Sequence, residues 1–310
     1  MVKKIIAAGK MRRYFSWLNL LEPFKIPLAF IQSLIIVASI NPDAVLGKGS
    51  YGSIWPVLAA WVLRKKIVLH ESDAVPGLAN KFLSKFTNHV ALAFEETGKL
   101  FPKENTHVVG NPVRLKYIGL TKDEAETILA IKVNRKIVFI SGGSQGAQRI
   151  NNIILRALPG LLESYFIIWS VGSSNHQDLR SKTAGKNNLL ISALFSEKEL
   201  AAAYTLCDLA VGRAGAGTIF ELAAFGKPSI LIPLERKGGD QPHNAKIYAD
   251  TGAAIILEES GLTAQKLFET LNKTLSDSNL LAAMSQKAKE FAKIDAGEEL
   301  AKILLNLANS

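Results

Sequence analysis

Short apolar runs alternate with amphipathic segments along most of this chain. From residue 135 onward each run is followed by residues with helical periodicity, which is the pattern of parallel strands joined by crossover helices. A similar alternation occurs before residue 110. The pattern predicts ten strands, at residues 44–46, 66–70, 89–93, 107–109, 137–141, 166–171, 189–194, 209–212, 229–233 and 254–257. The expected fold class is α/β, with two doubly wound parallel-sheet domains facing a cleft.

Residues 121–134 are charged and weakly periodic, which is typical of a link between domains. They separate an expected domain of residues 1–120 from one of residues 135–310. Helical periodicity also predicts helices at 26–39 and 74–86, and three closing helices between 263 and 309. The last of these is a candidate to cross back to the first domain.

The segment 136–151, KIVFISGGSQGAQRIN, ends an apolar strand at two glycines and then begins a helical pattern. The first N–H groups of a helix have no partner within the helix, and the peptide dipoles place partial positive charge there. Gly142 and Gly143 let the main chain turn sharply, and Ser144 can cap the helix or bind an oxygen. The junction predicts a phosphate site, although a glycine turn that serves packing alone gives the same pattern.

A second junction of this kind lies at 208–225, DLAVGRAGAGTIFELAAF. Thr218 is in position to cap the helix, and Glu221 follows three residues later, which is the spacing of a capping box. Glu221 therefore has two interpretations. It closes its own helix, or its carboxylate accepts hydrogen bonds from a vicinal diol such as ribose, as acidic residues do in dinucleotide folds. Two parallel-sheet domains with such glycine turns indicate nucleotide binding at the carboxyl ends of strands.

The composition is that of a folded protein with an anionic partner. The 310 residues are enough for two cores, 48% of them are apolar, and the single cysteine, Cys207, allows no disulfide framework. A formal net charge of +10 indicates nucleic acid, nucleotide phosphates or the inner face of a membrane as the partner. No RNA- or DNA-binding motif accompanies this charge, so a nucleic acid partner is not expected.

The first 25 residues mix basic and aromatic side chains. This composition suits a surface that rests on anionic lipid headgroups, but a helix packed on its own sheet with a basic rim has the same composition. The apolar run at 26–40 is shorter than the roughly 20 residues that a membrane span requires, and no secretory signal is evident. We therefore expect a cytoplasmic protein.

Six motifs make the comparison with known proteins specific. They are AGKMRRY at 8–14, INPDAVLGKGSYGS at 40–53, HESDAVPGLANK at 70–81, VVGNPVR at 108–114, GGSQGAQRIN at 142–151 and RAGAGTIFELAAFGKPSILIP at 213–233. In order and spacing this set resembles the MurG family, the N-acetylglucosaminyltransferases that complete lipid II in bacterial peptidoglycan synthesis.

The resemblance implies a GT-B-like fold and peripheral attachment to the cytoplasmic face of the cell membrane. The implied reaction is the inverting transfer of N-acetylglucosamine from UDP-N-acetylglucosamine to the 4-hydroxyl of undecaprenyl-linked lipid I, with roles in cell shape and division. No cofactor is implied. The sequence also lacks Cys or His pairs at metal-ligand spacing, so no metal site is expected.

The resemblance also assigns roles to single residues. It implies that Arg114 contacts the diphosphate, Glu221 the ribose and Gln241 the N-acetylglucosamine ring. Ser144 belongs to the glycine-rich loop of the same site, and Phe195 falls at the loop beside the uracil. The remaining implied contacts to UDP-N-acetylglucosamine are Ala216, Gly217 and Thr218 at the helix start and Asp73, where the family usually has asparagine. Gly49 and Tyr51 are implied on the acceptor side.

The departure from the family pattern lies at the amino end. Family members open with a strand, a glycine turn that ends in a histidine, and a helix, and this chain enters after them. The N-terminal domain is therefore expected to be truncated, with Met1 an internal or misassigned start, and no catalytic base is assigned. Two alternatives stay open. One is another nucleotide-sugar enzyme of the same fold, such as a glycolipid glycosyltransferase or an epimerase, and the other is an inactive fragment that binds UDP-sugar.

Overall fold

The structure divides into two units, each with its own sheet. This computed structural model describes residues 4–6, 22–102, 106–114, 116–143, 146–236 and 239–310, with the backbone alone at 22–25. The first unit comprises Met1–Asn111 and Asp295–Ser310, and the second comprises Pro112–Ile294. In the described residues each unit contains one parallel sheet. The predicted α/β class with two parallel-sheet domains is therefore confirmed.

The first unit is built on four parallel strands that follow one another in the sheet in chain order. The strands are β1 (Ala44–Gly47), β2 (Lys66–Glu71), β3 (Val90–Leu92) and β4 (Thr106–Val108). The helices are α1 (Glu22–Ile40), α2 (Ile54–Val62), α3 (Leu78–Leu83) and, from the end of the chain, α12 (Ala296–Ala308). Leu69 of β2 and Leu92 of β3 are fully buried in a cluster that includes residues of α1 and α2.

The helix predicted over 74–86 is shorter in the structure. Gly77 is extended, with φ −62° and ψ 150°, and α3 begins after it. Pro76 disfavours helical geometry in the residue before it and has no N–H to donate. Residues Ser84–Phe86 continue α3 as a 3₁₀ turn.

The last helix belongs to the first unit. Leu300 of α12 is buried against Val68, Ala91 and Val109, which lie in β2, in β3 and just after β4. The chain end thus packs on the sheet of the first unit, although the domain that precedes it in sequence is the second.

The second unit contains six parallel strands in the order β7-β6-β5-β8-β9-β10. They are β5 (Ile137–Ser141), β6 (Phe166–Ser170), β7 (Leu189–Ser192), β8 (Leu209–Gly212), β9 (Ser229–Leu231) and β10 (Ala254–Ile256). Successive side chains of a strand point to opposite faces. In β5, Ile137 and Phe139 belong to one core cluster and Val138 and Ile140 to another, so this strand is covered on both faces. All ten predicted strands occur, with each end within two residues of its predicted position.

Helices cover both faces of this second sheet. They are α4 (Lys122–Leu129), α5 (Gln148–Ser164), α6 (His176–Lys182), α7 (Glu197–Leu206), α8 (Ala216–Ala224), α9 (Gln241–Asp250), α10 (Ala264–Ser276) and α11 (Ser278–Phe291). No helix in the described part of the chain is long and apolar enough to cross a membrane.

The segment 121–134, predicted as a linker, contains α4 and groups with the second unit. Thr121 and Glu124 form a capping box at its start, and Ala125 and Leu129 are buried in a core cluster together with residues of α7. The helix is only two turns long and buries one narrow stripe. Its remaining positions are mostly polar or charged, so the segment has too few apolar residues for the helical period to be recognised in the sequence.

Candidate functional site

The order of strands in the second unit creates a crevice at one end of the sheet. β5 lies between β6 and β8, so the chain leaves β5 toward one edge and leaves β8 toward the other. In open parallel sheets such a reversal opens a space at the carboxyl ends of the two strands, and ligands bind there. Both glycine-rich junctions recognised in the sequence follow these two strands.

The turn after β5 depends on its glycines. Gly143 has φ +79° and Gly146 has φ +69°, a region that disfavours side chains with a Cβ. A Cβ on Gly142 would lie 2.7 Å from the backbone nitrogen of Ala147, so the turn also needs a bare backbone there. The helix α5 starts at Gln148 without a side-chain cap. It starts later than the sequence predicts, and Ser144, the predicted cap, lies outside the described residues.

The turn after β8 leads directly into α8. Gly215 is the extended N-cap residue, and no side chain caps this helix. Thr218 is the third residue of α8 rather than its cap, so the predicted capping box of Thr218 and Glu221 is wrong. The helix already begins at Ala216, directly after Gly215. The amino end of α8 thus keeps its first N–H groups free of side-chain caps.

Both helix starts line one pocket with a volume of about 520 Å³. The start of α9 contributes to the same pocket through Gln241. Three helix amino ends therefore converge on a space large enough for part of a small-molecule ligand, and their partial positive charge favours an anion. The lining residues are Gly142, Gly143, Gly146, Ala147, Arg213, Gly215, Thr218, Leu234 and Gln241.

Two polar side chains in the pocket wall are held by defined contacts. Arg213 donates one hydrogen bond to the carbonyl oxygen of Ile232 at 3.1 Å and another to Glu259 at 2.7 Å. The side-chain Oε1 of Gln241 accepts from the backbone N–H of Leu234 at 2.9 Å. Sequence reasoning assigned no role to Arg213, because its partner Glu259 is 46 residues away in a segment without a recognisable motif.

Glu221 lies one turn after Thr218 on α8, which places both on the same side of the helix. Its Oε2 accepts a hydrogen bond from the hydroxyl of Tyr204 at 3.3 Å. Burial raises the pKa of Glu221, whereas the Tyr204 hydrogen bond and the charge of Arg114 lower it. Arg114 itself is exposed. The carboxylate does not close its own helix, so the structural interpretation of Glu221 is not supported.

The other predicted nucleotide positions have different surroundings. Phe195 is half-buried, and its ring packs edge-on against Phe139 with a centroid separation of 6.1 Å. Ala216 is buried, whereas Gly217 is exposed and has open space where a Cβ would project.

Comparisons with known proteins show the family to which this chain belongs. Residues 137–300 match the model of the glycosyltransferase family 28 C-terminal domain, and residues 2–92 match that of the family 28 N-terminal domain. The chain belongs to glycosyltransferase family 28. A protein of Treponema denticola named UDP-N-acetylglucosamine--N-acetylmuramyl-(pentapeptide) pyrophosphoryl-undecaprenol N-acetylglucosamine transferase is 37% identical over 267 residues, which are 81% of this chain and 68% of that protein.

Solved structures also place this chain with the MurG family. MurG of Acinetobacter baumannii matches with a TM-score of 0.72 and 30% identity over 96% of this chain and 83% of its own. The predicted membership of the MurG family and the predicted GT-B-like fold are thus confirmed. UDP-GlcNAc 2-epimerase of Neisseria meningitidis, solved with UDP-GlcNAc bound, matches with a TM-score of 0.69 over 93% of this chain and 84% of its own. At 16% identity it shares the fold alone.

In the family 28 N-terminal region, the predicted acceptor-side residues lie at the carboxyl end of β1. Gly49 has φ +73°, and a Cβ there would overlap the side-chain amide of the buried Asn80. Tyr51 begins the 3₁₀ turn before α2 and packs edge-on against Trp55 at 6.3 Å between ring centroids. The first glycine-rich loop is thus fixed by close packing.

Asp73 lies in the loop after β2, beside a buried carboxylate. Glu71 accepts from the backbone N–H of Asp73 at 3.1 Å, from that of Gly77 at 3.0 Å and from the amide of Asn80 at 2.9 Å. These contacts stabilise the loop. Asp73 belongs to the first unit and is not part of the pocket of the second unit.

His70, also in β2, is fully buried. Its Nε2 lies 3.0 Å from the carbonyl oxygen of Gly110, and its Nδ1 lies 3.3 Å from the hydroxyl of Ser72. Burial lowers the pKa of His70 to about 4, so the ring is neutral at physiological pH. These contacts are those of a structural histidine in the core.

Proposed function

We propose that this protein transfers N-acetylglucosamine from UDP-N-acetylglucosamine to the 4-hydroxyl of the muramyl residue of lipid I, forming lipid II. The observation that carries the proposal is the convergence of three helix amino ends on one pocket at the strand-order reversal. This arrangement suits a nucleoside diphosphate. The names of the family relatives supply the sugar and the acceptor.

The nucleotide half of the substrate would lie at the second unit. The starts of α5 and α8 would bind the diphosphate, with Ala216, Gly217 and Thr218 at the first turn of α8. Glu221 would accept hydrogen bonds from the ribose hydroxyls, a role supported by its place one turn beyond the pocket residue Thr218. Ser144 would belong to the same diphosphate loop.

Three further residues would complete this half. Arg114 would contact the diphosphate, and its electrostatic interaction with Glu221 supports a position near that carboxylate. Gln241 would contact the N-acetylglucosamine ring, because it lines the pocket at the start of α9. Phe195 would flank the uracil from the loop after β7.

The departing diphosphate develops negative charge while the sugar passes through an oxocarbenium-like state. Preorganised donors at the leaving group lower the barrier, by roughly 3 kcal/mol for each well-placed donor. The helix amino ends and the Arg114 guanidinium would be those donors. An inverting reaction places the attacking hydroxyl opposite the leaving group, on the side of the acceptor.

The acceptor would bind to the first unit through the glycine-rich loop that contains Gly49 and Tyr51. Asp73, in the neighbouring loop after β2, would contact UDP-N-acetylglucosamine. The proposal is supported by the contacts that hold the two loops in place around Asn80 and Glu71. A Cβ at Gly49 would displace Asn80, which also binds the carboxylate of Glu71. The two loops are thus preorganised by one hydrogen-bonded cluster.

We also propose that the first unit rests on the anionic cytoplasmic face of the membrane. Leu28, Ile31 and Ile35 recur on one side of α1 and are 47%, 52% and 63% exposed. Trp61 on α2 is 51% exposed, close in sequence to the exposed cation Arg64. Apolar side chains next to cations suit a headgroup boundary. The basic and aromatic residues at 7–21 lie outside the described residues.

Turnover tests the reaction. Purified protein is incubated with UDP-N-acetylglucosamine and a lipid I analogue, and the release of UDP and the formation of the disaccharide are measured. We expect both to depend on the acceptor. Conversion of UDP-N-acetylglucosamine without an acceptor would indicate an epimerase instead, and nucleotide binding without turnover would indicate an inactive UDP-sugar-binding protein.

Calorimetry tests the assigned nucleotide residues. Arg114→Ala and Glu221→Ala should each weaken UDP-N-acetylglucosamine binding by about tenfold or more, because each removes a charge-assisted contact. Arg180→Ala and Glu269→Ala, at exposed positions, serve as controls with no expected effect. Unchanged affinity in both Arg114→Ala and Glu221→Ala would refute the assignment.

Vesicle sedimentation tests the membrane surface. Binding to phosphatidylglycerol vesicles should exceed binding to phosphatidylcholine vesicles, decrease with salt, and decrease further in Ile31→Glu. Ile294→Glu, at a similarly exposed isoleucine of the second unit (55%), is the matched control. Equal losses in the two variants would count against this surface.

A further inference from the structure

Tyr204 is almost completely buried, yet its hydroxyl has a polar partner. It lies in α7 with 3% of its surface exposed. Its ring packs against Phe139 of β5 and against Phe225 at the end of α8, each with a centroid separation of 5.3 Å. Rings held on two sides have little freedom to turn. The hydroxyl is therefore fixed in place, and it lies 3.3 Å from Oε2 of Glu221.

The direction of this hydrogen bond is set by the protonation states. Burial, followed by the charge of Glu221, raises the pKa of Tyr204 well above its ordinary value of 10.0, so the phenol keeps its proton and donates. An ionised carboxylate only accepts hydrogen bonds, and Oε2 of Glu221 accepts this one from the Tyr204 hydroxyl. The same carboxylate retains capacity for further donors, such as ribose hydroxyls.

We propose that Tyr204 is a positioning residue for nucleotide binding, whose hydroxyl holds the Glu221 carboxylate in the orientation that receives the two ribose hydroxyls. This inference rests on the proposed function, in which Glu221 binds ribose. A carboxylate on a freely rotating side chain would lose conformational entropy on binding the diol, whereas a carboxylate already oriented by a buried donor loses less. Tyr204 would act through Glu221 and would not touch the nucleotide.

The test compares two ligands that differ only at the ribose. Binding of UDP and of 2′,3′-dideoxy-UDP is measured by calorimetry on the full chain. In the wild type, UDP should bind more tightly, because only UDP offers hydroxyls to Glu221. Tyr204→Phe keeps the ring and removes the hydroxyl. It should weaken UDP binding by about fivefold, the effect of one hydrogen bond, and leave dideoxy-UDP binding unchanged.

Two further variants separate positioning from simple destabilisation. Tyr165→Phe removes another tyrosine hydroxyl, which binds Asn272 at 2.8 Å at the amino end of β6, away from the pocket. It should change neither affinity. In a Glu221→Ala background, Tyr204→Phe should cause no additional loss of UDP affinity, because the residue it orients is gone.

The outcomes are distinct. If Tyr204→Phe weakens the two ligands equally, or weakens neither, the positioning role is wrong even though UDP binds. If Glu221→Ala leaves the ratio of the two affinities unchanged, then Glu221 does not bind ribose, and both this inference and that part of the proposed function fail. If the wild type binds neither ligand, the nucleotide site itself is wrong.

Discussion

Nη2 of Arg213 lies 2.7 Å from Oε1 of Glu259, and the two side chains are only 11% and 7% exposed. The pair joins the loop after β8 to the segment after β10 and fixes a guanidinium in the wall of the pocket at the starts of α5, α8 and α9. A buried arginine without its carboxylate partner would leave an uncompensated charge. The pair therefore contributes to the stability of the second unit and also holds one wall of its pocket in place.

We expect Glu259→Ala to lower the free energy of unfolding by about 3 kcal/mol, because it leaves Arg213 buried and unpaired. It should also weaken UDP binding, since the guanidinium is no longer held. Asp178→Ala breaks the Lys182–Asp178 pair, whose side chains are 52% and 64% exposed, and should cost less than about 1 kcal/mol. Urea unfolding and calorimetry measure both effects, and similar values for the two variants would contradict the prediction.

Two glycines with similar positive φ angles test the turn after β5. Gly146 has φ +69°, and a Cβ there would lie 2.6 Å from the carbonyl oxygen of Val171. Gly185 has φ +73°, and nothing lies within 4 Å of a Cβ at that position. Gly185→Ala should therefore cost only the left-handed strain of about 1 kcal/mol, and it should leave UDP affinity unchanged.

Gly146→Ala adds a backbone clash to the same strain. Its loss of stability should exceed that of Gly185→Ala, and UDP affinity should fall because the turn that lines the pocket must move. Thermal unfolding and calorimetry on the two variants give the comparison. If both variants lose stability equally and keep their UDP affinity, the close approach of Gly146 to Val171 is not important for the site.

The sequence predicted the strands and the two glycine turns because both leave local signals. Apolar runs between polar or glycine-containing segments define β5 and β8. The reversal of strand order between them is part of the doubly wound architecture expected for this unit. The helix starts were harder to predict. Thr218 is a residue type that often caps helices, but the chain is already helical at Ala216. A capping motif alone does not decide which residue begins the helix.

Long-range pairs left no signal that could be recognised in one sequence. Arg213 and Glu259 are 46 residues apart, and Tyr204 resembles any aromatic residue of an amphipathic helix until its distance to Glu221 is known. The two turns of α4 contain only two buried positions, Ala125 and Leu129, so the segment was interpreted as a linker. The roles of single residues in substrate binding stay predictions.

His70 predicts a specific pH dependence of stability. Its pKa is lowered to about 4 in the folded protein, chiefly by burial, from the ordinary value of 6.5. Between these values the unfolded chain binds more protons than the native one, so the free energy of unfolding falls as the pH is lowered through this window. The contribution is fully present above pH 6.5 and decreases by about 2 kcal/mol between pH 7 and pH 5.

His70→Gln should remove this part of the pH dependence, even if it lowers stability at every pH. His243→Gln, at an exposed position, should keep the wild-type slope. The measurement is urea unfolding followed by tryptophan fluorescence in a Trp169→Phe background, because Trp169 is buried in the second unit and the other tryptophans belong to the first. A wild-type slope in His70→Gln would show that another group causes the pH dependence.

Two leucines of α12 test whether the end of the chain stabilises the first unit. Leu300 is 5% exposed and packs against the sheet, whereas Leu305, on the same helix, is 61% exposed. Leu300→Ala removes buried apolar surface and leaves a cavity, which should lower the free energy of unfolding by about 2–5 kcal/mol. Leu305→Ala should change the free energy of unfolding by less than about 0.5 kcal/mol, since leucine and alanine are both good helix formers. Because Val68 and Ala91 form the other side of the contact, the loss should appear in the tryptophan fluorescence of the Trp169→Phe background, in which the remaining tryptophans belong to the first unit. Equal effects of the two substitutions would mean that α12 does not depend on the packing of Leu300.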